Sequence, residues 1–416
     1  MNNSEYEILT EAAVPDYLRA HADLAQRVDP DTVNVREVGD GNLNLVFVCR
    51  DETGSSLVLK QSLPYVRSAG PSWPLTADRS HAEALGLTEG FRASPSTGAE
   101  LFAYDPANHV LAMEDLSALT VWRTALAEGH IVPGAAASSG RHLARLMFWT
   151  SVLGLPPYSM RAQMARSTNS AMCRITEDLV FTEPYNDHSN NRFDDALRPY
   201  VEAIRTDPRL LDEVARLKFE YMTRTEALVH GDFHTGSVMV GLDDRGVAKA
   251  FDAEFCFYGP IAFDLGTLLG NLLFAFVRAS CVGNDRQRDW LGGVPAELWT
   301  GYQDEVWELW PTRADTALTD AFAVDWLTRV ARDTVGFAAC EAIRRIVGYA
   351  KVSDIEALPV TLRPLCAAVV LDTARRWLTA PSAGWDAELF DQIDLDTIGR
   401  RGHALPQSSG RAGSTE

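Results

Sequence analysis

Through the first third of the chain, apolar and polar residues alternate in short runs. The segments "VNVREVG", "LNLVFVCR" and "SSLVLKQSL" have strand length, and "GDGN" and "DETGSS" between them are turn signals, so the region predicts a small antiparallel sheet. A polar and aromatic loop, "PYVRSAGPSWPLTADRS", separates it from "HAEALGLTEGF", which has helical spacing. Beyond "HVLAMEDLS" the pattern is helical nearly throughout, with helices predicted around residues 134–154, 193–205, 208–226, 261–279, 318–349 and 356–379. One interruption, "SVMVGL" and "VAKAFDAEF" flanking "DDRG", predicts a β-hairpin. The expected fold class is α+β with two lobes. Residues 1–115 form a small N-terminal lobe with an antiparallel β-sheet, residues 116–404 a larger, mostly helical C-terminal lobe, and the polar, Gly/Ser-rich residues 405–416 a disordered tail.

A chain of 416 residues is long enough for two such lobes. The formal net charge of -19 sets long-range repulsion against nucleic acid and anionic membranes, so neither is an expected partner, and any bound anion needs a local cationic pocket. Six scattered cysteines without a C-x-x-C pair, and an N-terminus without the layout of a signal peptide, point to a reduced, cytoplasmic protein. The apolar stretch "GPIAFDLGTLLGNLLFAFVRAS" carries Asp264, Asn271 and several glycines, which fits a buried helix better than a membrane span.

The candidate chemistry starts at "LVHGDFHTGSVMV", residues 228–240. Asp232 comes just before the hairpin, while Asp252 and Glu254 come as it finishes, so three carboxylates could converge at one end of two strands. Asp252 and Glu254 share a face if the segment stays extended. Converging carboxylates repel one another unless a cation sits among them, and Mg2+, hard and oxygen-seeking, is the natural ion. Alone, a His-Gly-Asp turn is more often a capped loop, and a D-x-E a solvated strand end. Their separation by one hairpin, with Gly231, Gly236 and Gly259 relaxing the backbone, singles them out.

Such a metal site implies phosphoryl transfer, which also requires a phosphate cradle and a lysine. Gly39 and Gly41 in "VGDGNLNLVF" lie at a strand-to-strand turn, and Lys60 stands on the next strand with Glu83 on the following helix as its counter-ion. The turn reads G-x-G-x-x-N and is not a Walker A loop, since no G-K-[ST] follows. The seam "MEDLS" could offer backbone groups to adenine, and its Glu114 and Asp115 could equally be solvated linker acids. Glycine turn, strand lysine, helical glutamate, seam, Asp232, hairpin and metal-type acids follow the order of the protein-kinase-like fold, with nucleotide between the lobes. His230 and His234 have i, i+4 spacing, but Gly231 argues against one helix face and no H-E-x-x-H is present, so both read as supports of the loop.

The strings "GDGNLNLVF", "KQSLPYVR", "SWPLT", "HGDFHTGS", "DAEFCFYGP", "FDLGTLLGN" and "RRIVGYA" together resemble the 5-methylthioribose kinase family over nearly the whole chain. The resemblance implies a bilobal protein-kinase-like fold and ATP-dependent phosphorylation of the 1-hydroxyl of 5-methylthioribose in methionine salvage. It also implies ATP and Mg2+ as cofactors, a small sugar substrate and a homodimer. It gives Asp232 the catalytic role and Asp252 with Glu254 the metal, Ser237 standing where related kinases place a metal-binding Asn. Gly39, Asp40, Gly41, Asn42, Asn44, Lys60 and Glu83 match the nucleotide clamp, Trp73 a flap over the phosphates, and Met113, Glu114 and Leu116 the adenine contact. Arg344 and Arg345, with Asp232 and Asn44, match the sugar site; without the resemblance the arginines read as an exposed helical pair. Two departures stand out. Ala253 replaces the proline of the usual D-P-E-F, and "GPSW" lacks the acid that commonly precedes the serine. These leave open another acceptor, such as a different 5-modified pentose, a nucleoside or an antibiotic. An inactive nucleotide-binding scaffold should have lost one of Lys60, Asp232, Asp252 or Glu254, and all four are present.

Overall fold

The computed structural model describes residues 6–39, 43–67, 70–243, 246–380, 385, 389–390 and 392–393, and the tail 405–416 lies outside them. Strands β1 (Asn34–Glu37), β2 (Asn44–Arg50), β3 (Ser56–Ser62), β4 (Leu101–Asp105) and β5 (Val110–Met113) form an antiparallel sheet in the order β1-β2-β3-β5-β4. Helices α1 (Val14–Ala20) and α2 (Ala22–Ala25) supply Val14, Leu18 and Leu24 to one face, where they pack with Phe47, Leu57 and Leu59. Helix α3 (Arg79–Ala93) covers the other face through Ala84 and Leu87, which cluster with Leu111, Met113 and Val58. Alternation along β3 therefore decides where its lysine goes. Leu57 and Leu59 point to α1 and α2, so Val58 and Lys60 point to α3.

The remaining chain is the helical lobe: α4 (Trp122–Ala127), α5 (Ala135–Thr150), α6 (Pro157–Met164), α7 (Ser170–Phe181), α8 (Arg198–Thr206), α9 (Pro208–Thr223), α10 (Ala262–Cys281), α11 (Asp285–Leu309), α12 (Asp320–Val347), α13 (Ser353–Glu356) and α14 (Arg363–Thr379). Short strands β6 (Thr120–Val121), β7 (Ala227–Val229), β8 (Val238–Val240), β9 (Ala248–Ala250) and β10 (Phe257–Gly259) lie among them. The expected hairpin is present as β8 and β9, with Val238 opposite Ala250, while β7 pairs with β10. The predicted helix at 356–379 begins later, at Arg363: Pro359 breaks the run before it, and Pro364 sits in its first turn, where a missing N–H is tolerated.

Helix α11 escapes the sequence pattern because Gly292, Gly293 and Pro295 read as breakers. The helix forms because Leu291, Val294, Leu298, Tyr302 and Val306 present one apolar stripe to the core, and Asn284 caps its start by accepting from the Gln287 N–H. The cysteines also differ from expectation. Cys281 at the end of α10 and Cys366 in α14 are joined in a disulfide, while Cys49, Cys173, Cys256 and Cys340 are free. Helix α10 is the one helix among the described residues long and apolar enough to cross a membrane, and it is buried within the lobe.

Two glycines let α10 lie close against α12. A Cβ built on Gly266 would lie 2.8 Å from the Thr334 carbonyl oxygen, and one on Gly270 2.8 Å from that of Ala338. Since Asp264 lies in the first turn of α10 and Arg344 and Arg345 in the last turn of α12, this contact sets how the two ends meet. Gly266→Ala is expected to lower stability. The helix-propensity gain of about 1 kcal/mol is outweighed by a clash with backbone, which typically costs about 1–3 kcal/mol. Urea denaturation measures the sign, and a rise in the midpoint would show that α12 yields freely.

Candidate active site

The His-Gly-Asp turn follows β7 and is held from below by α10. The backbone N–H groups of His230 and Gly231 donate to the two carboxylate oxygens of Asp264 at 2.6 and 2.9 Å. Burial pushes the Asp264 carboxyl up to about 6, against the pull of His230 and these two N–H groups. Gly231 has φ +83, and a Cβ there would lie 2.2 Å from the Phe255 carbonyl oxygen, so the turn admits only glycine. The Asp232 N–H donates to His230 Nδ1 at 3.4 Å, which leaves His230 Nε2 to donate to the Phe251 carbonyl at 2.9 Å. His230 is thus a support of the loop, as its sequence reading expects.

Asp232 has a different partner on each oxygen. Oδ2 lies 3.3 Å from His234 Nε2, and Oδ1 lies 3.3 Å from Arg344 Nη2 and 3.8 Å from Arg345 Nη2. Burial disfavours its charge, but His234, Arg344 and Arg345 outweigh burial and hold the carboxyl well below the usual range. The arginines are not the exposed pair their spacing alone would give. Their side chains are 11% and 9% exposed, and Glu341, one turn earlier, bonds both of them. Asn271 on α10 donates to Glu341 at 3.1 Å, so the two helices share this network.

Across the cleft, Lys60 Nζ lies 2.7 Å from Glu83 Oε1 and also contacts Asp252 Oδ1. Burial works against the ammonium charge, yet Asp252, Glu83 and Glu254 outweigh it and raise the lysine pKa. Carboxylate oxygens of Glu83, Asp252 and Glu254 all lie within 4.8 Å of one another. The expected D-x-E strand is not extended here: Asp252 has φ 67, a left-handed conformation that aspartate tolerates better than most residues. The third acid of the cluster is accordingly Glu83 rather than Asp232. Asp232 stands on the arginine side; burial and its charge both oppose ionisation of Asp252, but Lys60 outweighs them and lowers the Asp252 pKa.

The cluster fits a divalent cation. Three acids face two cations, Lys60 and Arg79, and burial pushes Glu83 up to about 7 and raises Glu254 as well. Glu83 Oε2 is buried without a hydrogen-bond partner. The Asp252 side chain is 38% exposed and opens to the cleft, whereas Glu83 is fully enclosed. Both contacts to Glu254, from Asn44 Nδ2 and Arg79 Nε at 3.0 Å each, fall on Oε2. Hard oxygen donors on Asp252 and Glu254 suit Mg2+. Ser237 takes no part, since its hydroxyl donates to the Asp232 carbonyl at 3.0 Å.

The other expected residues are more dispersed. Asn44, expected at the sugar site, is turned to Glu254 and Arg79 rather than to Asp232 and the paired arginines. Trp73 packs its ring 5.1 Å from Tyr349, just beyond the paired arginines. Met113 and Leu116 are buried in the α3 cluster. Glu114 is ion-paired with Lys249 and Asp115 with Arg50, so neither is a merely solvated linker acid. Gly39 is described but Asp40, Gly41 and Asn42 lie outside the described residues. Ala253 packs towards Gly86 of α3, so the exchange from proline falls on the α3 side of the turn.

Four positioning residues were not anticipated: Arg79, Asp264, Glu341 and Arg123. Glu341 could have been found from its i, i+3 and i, i+4 spacing to Arg344 and Arg345. Arg79 had no such signal. It is fully buried and donates to the carbonyls of Leu43, Leu63 and Thr76 as well as to Asn44 and Glu254, tying the glycine turn and the flap to the acid cluster.

A family model described as the phosphotransferase enzyme family matches residues 34–293. The chain is 40% identical over 370 residues to a methylthioribose kinase of Pectobacterium carotovorum subsp. carotovorum (strain PC1), which spans 86% of this chain and 90% of that protein. It is 39% identical over 408 residues to a methylthioribose kinase of Yersinia enterocolitica serotype O:8, spanning 95% and 98% respectively. Among solved structures, a choline kinase from Cryptosporidium parvum Iowa II aligns over 94% of this chain and 99% of that one, with a TM-score of 0.48 and 10% identity.

Arg79→Lys is expected to cost about 3 kcal/mol, because one ammonium cannot replace a guanidinium fork across five acceptors and Glu254 keeps its buried charge. Urea denaturation at pH 7 reads this, and an unchanged midpoint would show that the fork is dispensable.

Proposed function

The chain belongs to the methylthioribose kinase family, within the phosphotransferase enzyme family, and on that footing we propose that it transfers the γ-phosphoryl group of ATP to the 1-hydroxyl of 5-methylthioribose, a step of methionine salvage. The observation that carries this reading is the pairing of two charged centres. An ionised Asp232 faced by two arginines stands opposite a lysine-bound carboxylate cluster. One centre suits an alcohol acceptor, the other a nucleotide polyphosphate.

In this reading residues 1–115 clamp the nucleotide and the helical lobe holds the sugar. Lys60, fixed by Glu83, addresses phosphate oxygens, and Asp252 with Glu254 holds Mg2+, which when bound neutralises phosphate charge. Asp232 orients the 1-hydroxyl and accepts its proton as the new O–P bond forms and the bond to ADP breaks. Arg344 and Arg345 offset charge on the transferring group. Trp73, packed on Tyr349, brings the flap against the acceptor side. Lys60, Arg344 and Arg345 bring positive charge to this cleft within a negative chain, which suits a small phosphate-bearing ligand better than nucleic acid or membrane. We also propose a cytoplasmic homodimer.

Sugar-dependent ADP release by the purified chain, with the product identified by phosphorus NMR as an anomeric phosphate, is the expected result. Turnover with a nucleoside or an aminoglycoside but not with methylthioribose would reassign the acceptor. Asp232→Asn is expected to lower kcat by about 10²-fold or more; near-normal turnover would remove Asp232 from its role.

A further inference from the structure

The second histidine of the loop does more than support it. Gly236 N–H points at His234 Nδ1 at 3.0 Å. A backbone N–H can only donate, so Nδ1 accepts, and the neutral ring must carry its proton on Nε2. Asp232 Oδ2 is the carboxylate oxygen 3.3 Å from that nitrogen. The loop backbone therefore selects the tautomer that presents a donor to the carboxylate.

Resting on the kinase reading above, we infer that His234 is a positioning residue for Asp232: its Nε2–H holds Oδ2, so that Oδ1, on the arginine side, is the oxygen turned to the acceptor hydroxyl. A carboxylate bound at one oxygen only by flexible arginines could rotate, whereas one also held by a ring fixed at both nitrogens keeps its aim. The surroundings favour the neutral ring. It is buried, and besides Asp232 it faces Arg123 on α4 and Arg345 on α12, with Arg344 and Glu341 next along α12 and Asp354 pairing with Arg123. Burial and the two arginines lower the imidazole pKa against the pull of Asp232. A second proton would have to go on Nδ1, where it would displace the Gly236 contact. Gly236 belongs to the same device. A Cβ there would lie 2.8 Å from both Arg123 Nη1 and His234 Cε1, so a larger residue would part the arginine from the ring.

Two substitutions separate positioning from loop support. His234→Asn keeps an acceptor near the Nδ1 position but cannot reach Asp232, while His234→Gln places an amide donor near the Nε2 position and lacks the near acceptor. Each full-length variant is assayed with ATP and methylthioribose across pH 5–9, with folding checked by urea denaturation. For His234→Asn the expected result is a fall in kcat of about 10- to 100-fold with KM for the sugar nearly unchanged. The acid limb of its kcat profile moves to higher pH, because the carboxylate loses a donor that favours its charged form. His234→Gln is expected to recover most of the loss. The reverse order, with Asn active and Gln impaired, or two variants equal to the parent, overturns the positioning role while leaving the kinase reading intact. A parent chain without sugar-dependent turnover overturns both.

Discussion

Lys60 stands between a glutamate of its own lobe and an aspartate of the other, and the geometry of the cleft follows from that bridge. Taking an ammonium and carboxylates out of water costs several kcal/mol per ion, so such a cluster is no general source of stability. It persists because the cations and acids are arranged to satisfy most of one another's bonding capacity, with Arg79 completing the second bridge to Glu254. What remains unbalanced is negative charge beside an open aspartate. Phosphates drawing Lys60 toward themselves would deepen that imbalance, and a divalent ion would correct it.

The Asp232 side is built by a different means. Asp232 is placed by the helices beneath it: Asp264 at the start of α10 pins the turn, and Arg344 and Arg345 at the end of α12 meet the carboxylate. Gly266 and Gly270 allow these helices to approach until Asn271 and Glu341 join their networks. Backbone geometry at Gly231 and Gly236 then orients the loop's own side chains. Charge around Lys60 and close helix packing beneath Asp232 thus converge on one cleft.

Much of this was legible in the chain. Strand alternation alone sends Lys60 to the α3 face, where Glu83 waits, and the hairpin after Asp232 follows from its flanking apolar runs. Other features depend on tertiary structure that no local pattern encodes. The left-handed backbone at Asp252 and the lobe contact exchange Asp232 for Glu83 in the acid cluster. Arg79 opens α3 but falls in a stretch whose sequence pattern reads as loop, and Asn44 points to Glu254 only because α3 brings Arg79 beside it. In α11, packing of one apolar stripe overrides two glycines and a proline, and the Cys281–Cys366 pair spans 85 residues.

The most direct test of the charge balance is manganese binding followed by electron paramagnetic resonance, with a non-hydrolysable ATP analogue present. The parent chain should bind the ion at a defined site, and Asp252→Asn and Glu254→Gln should each weaken that binding while the nucleotide itself still associates. Undiminished manganese affinity in both variants would contradict the assignment of this cluster as the metal-holding half of the cleft.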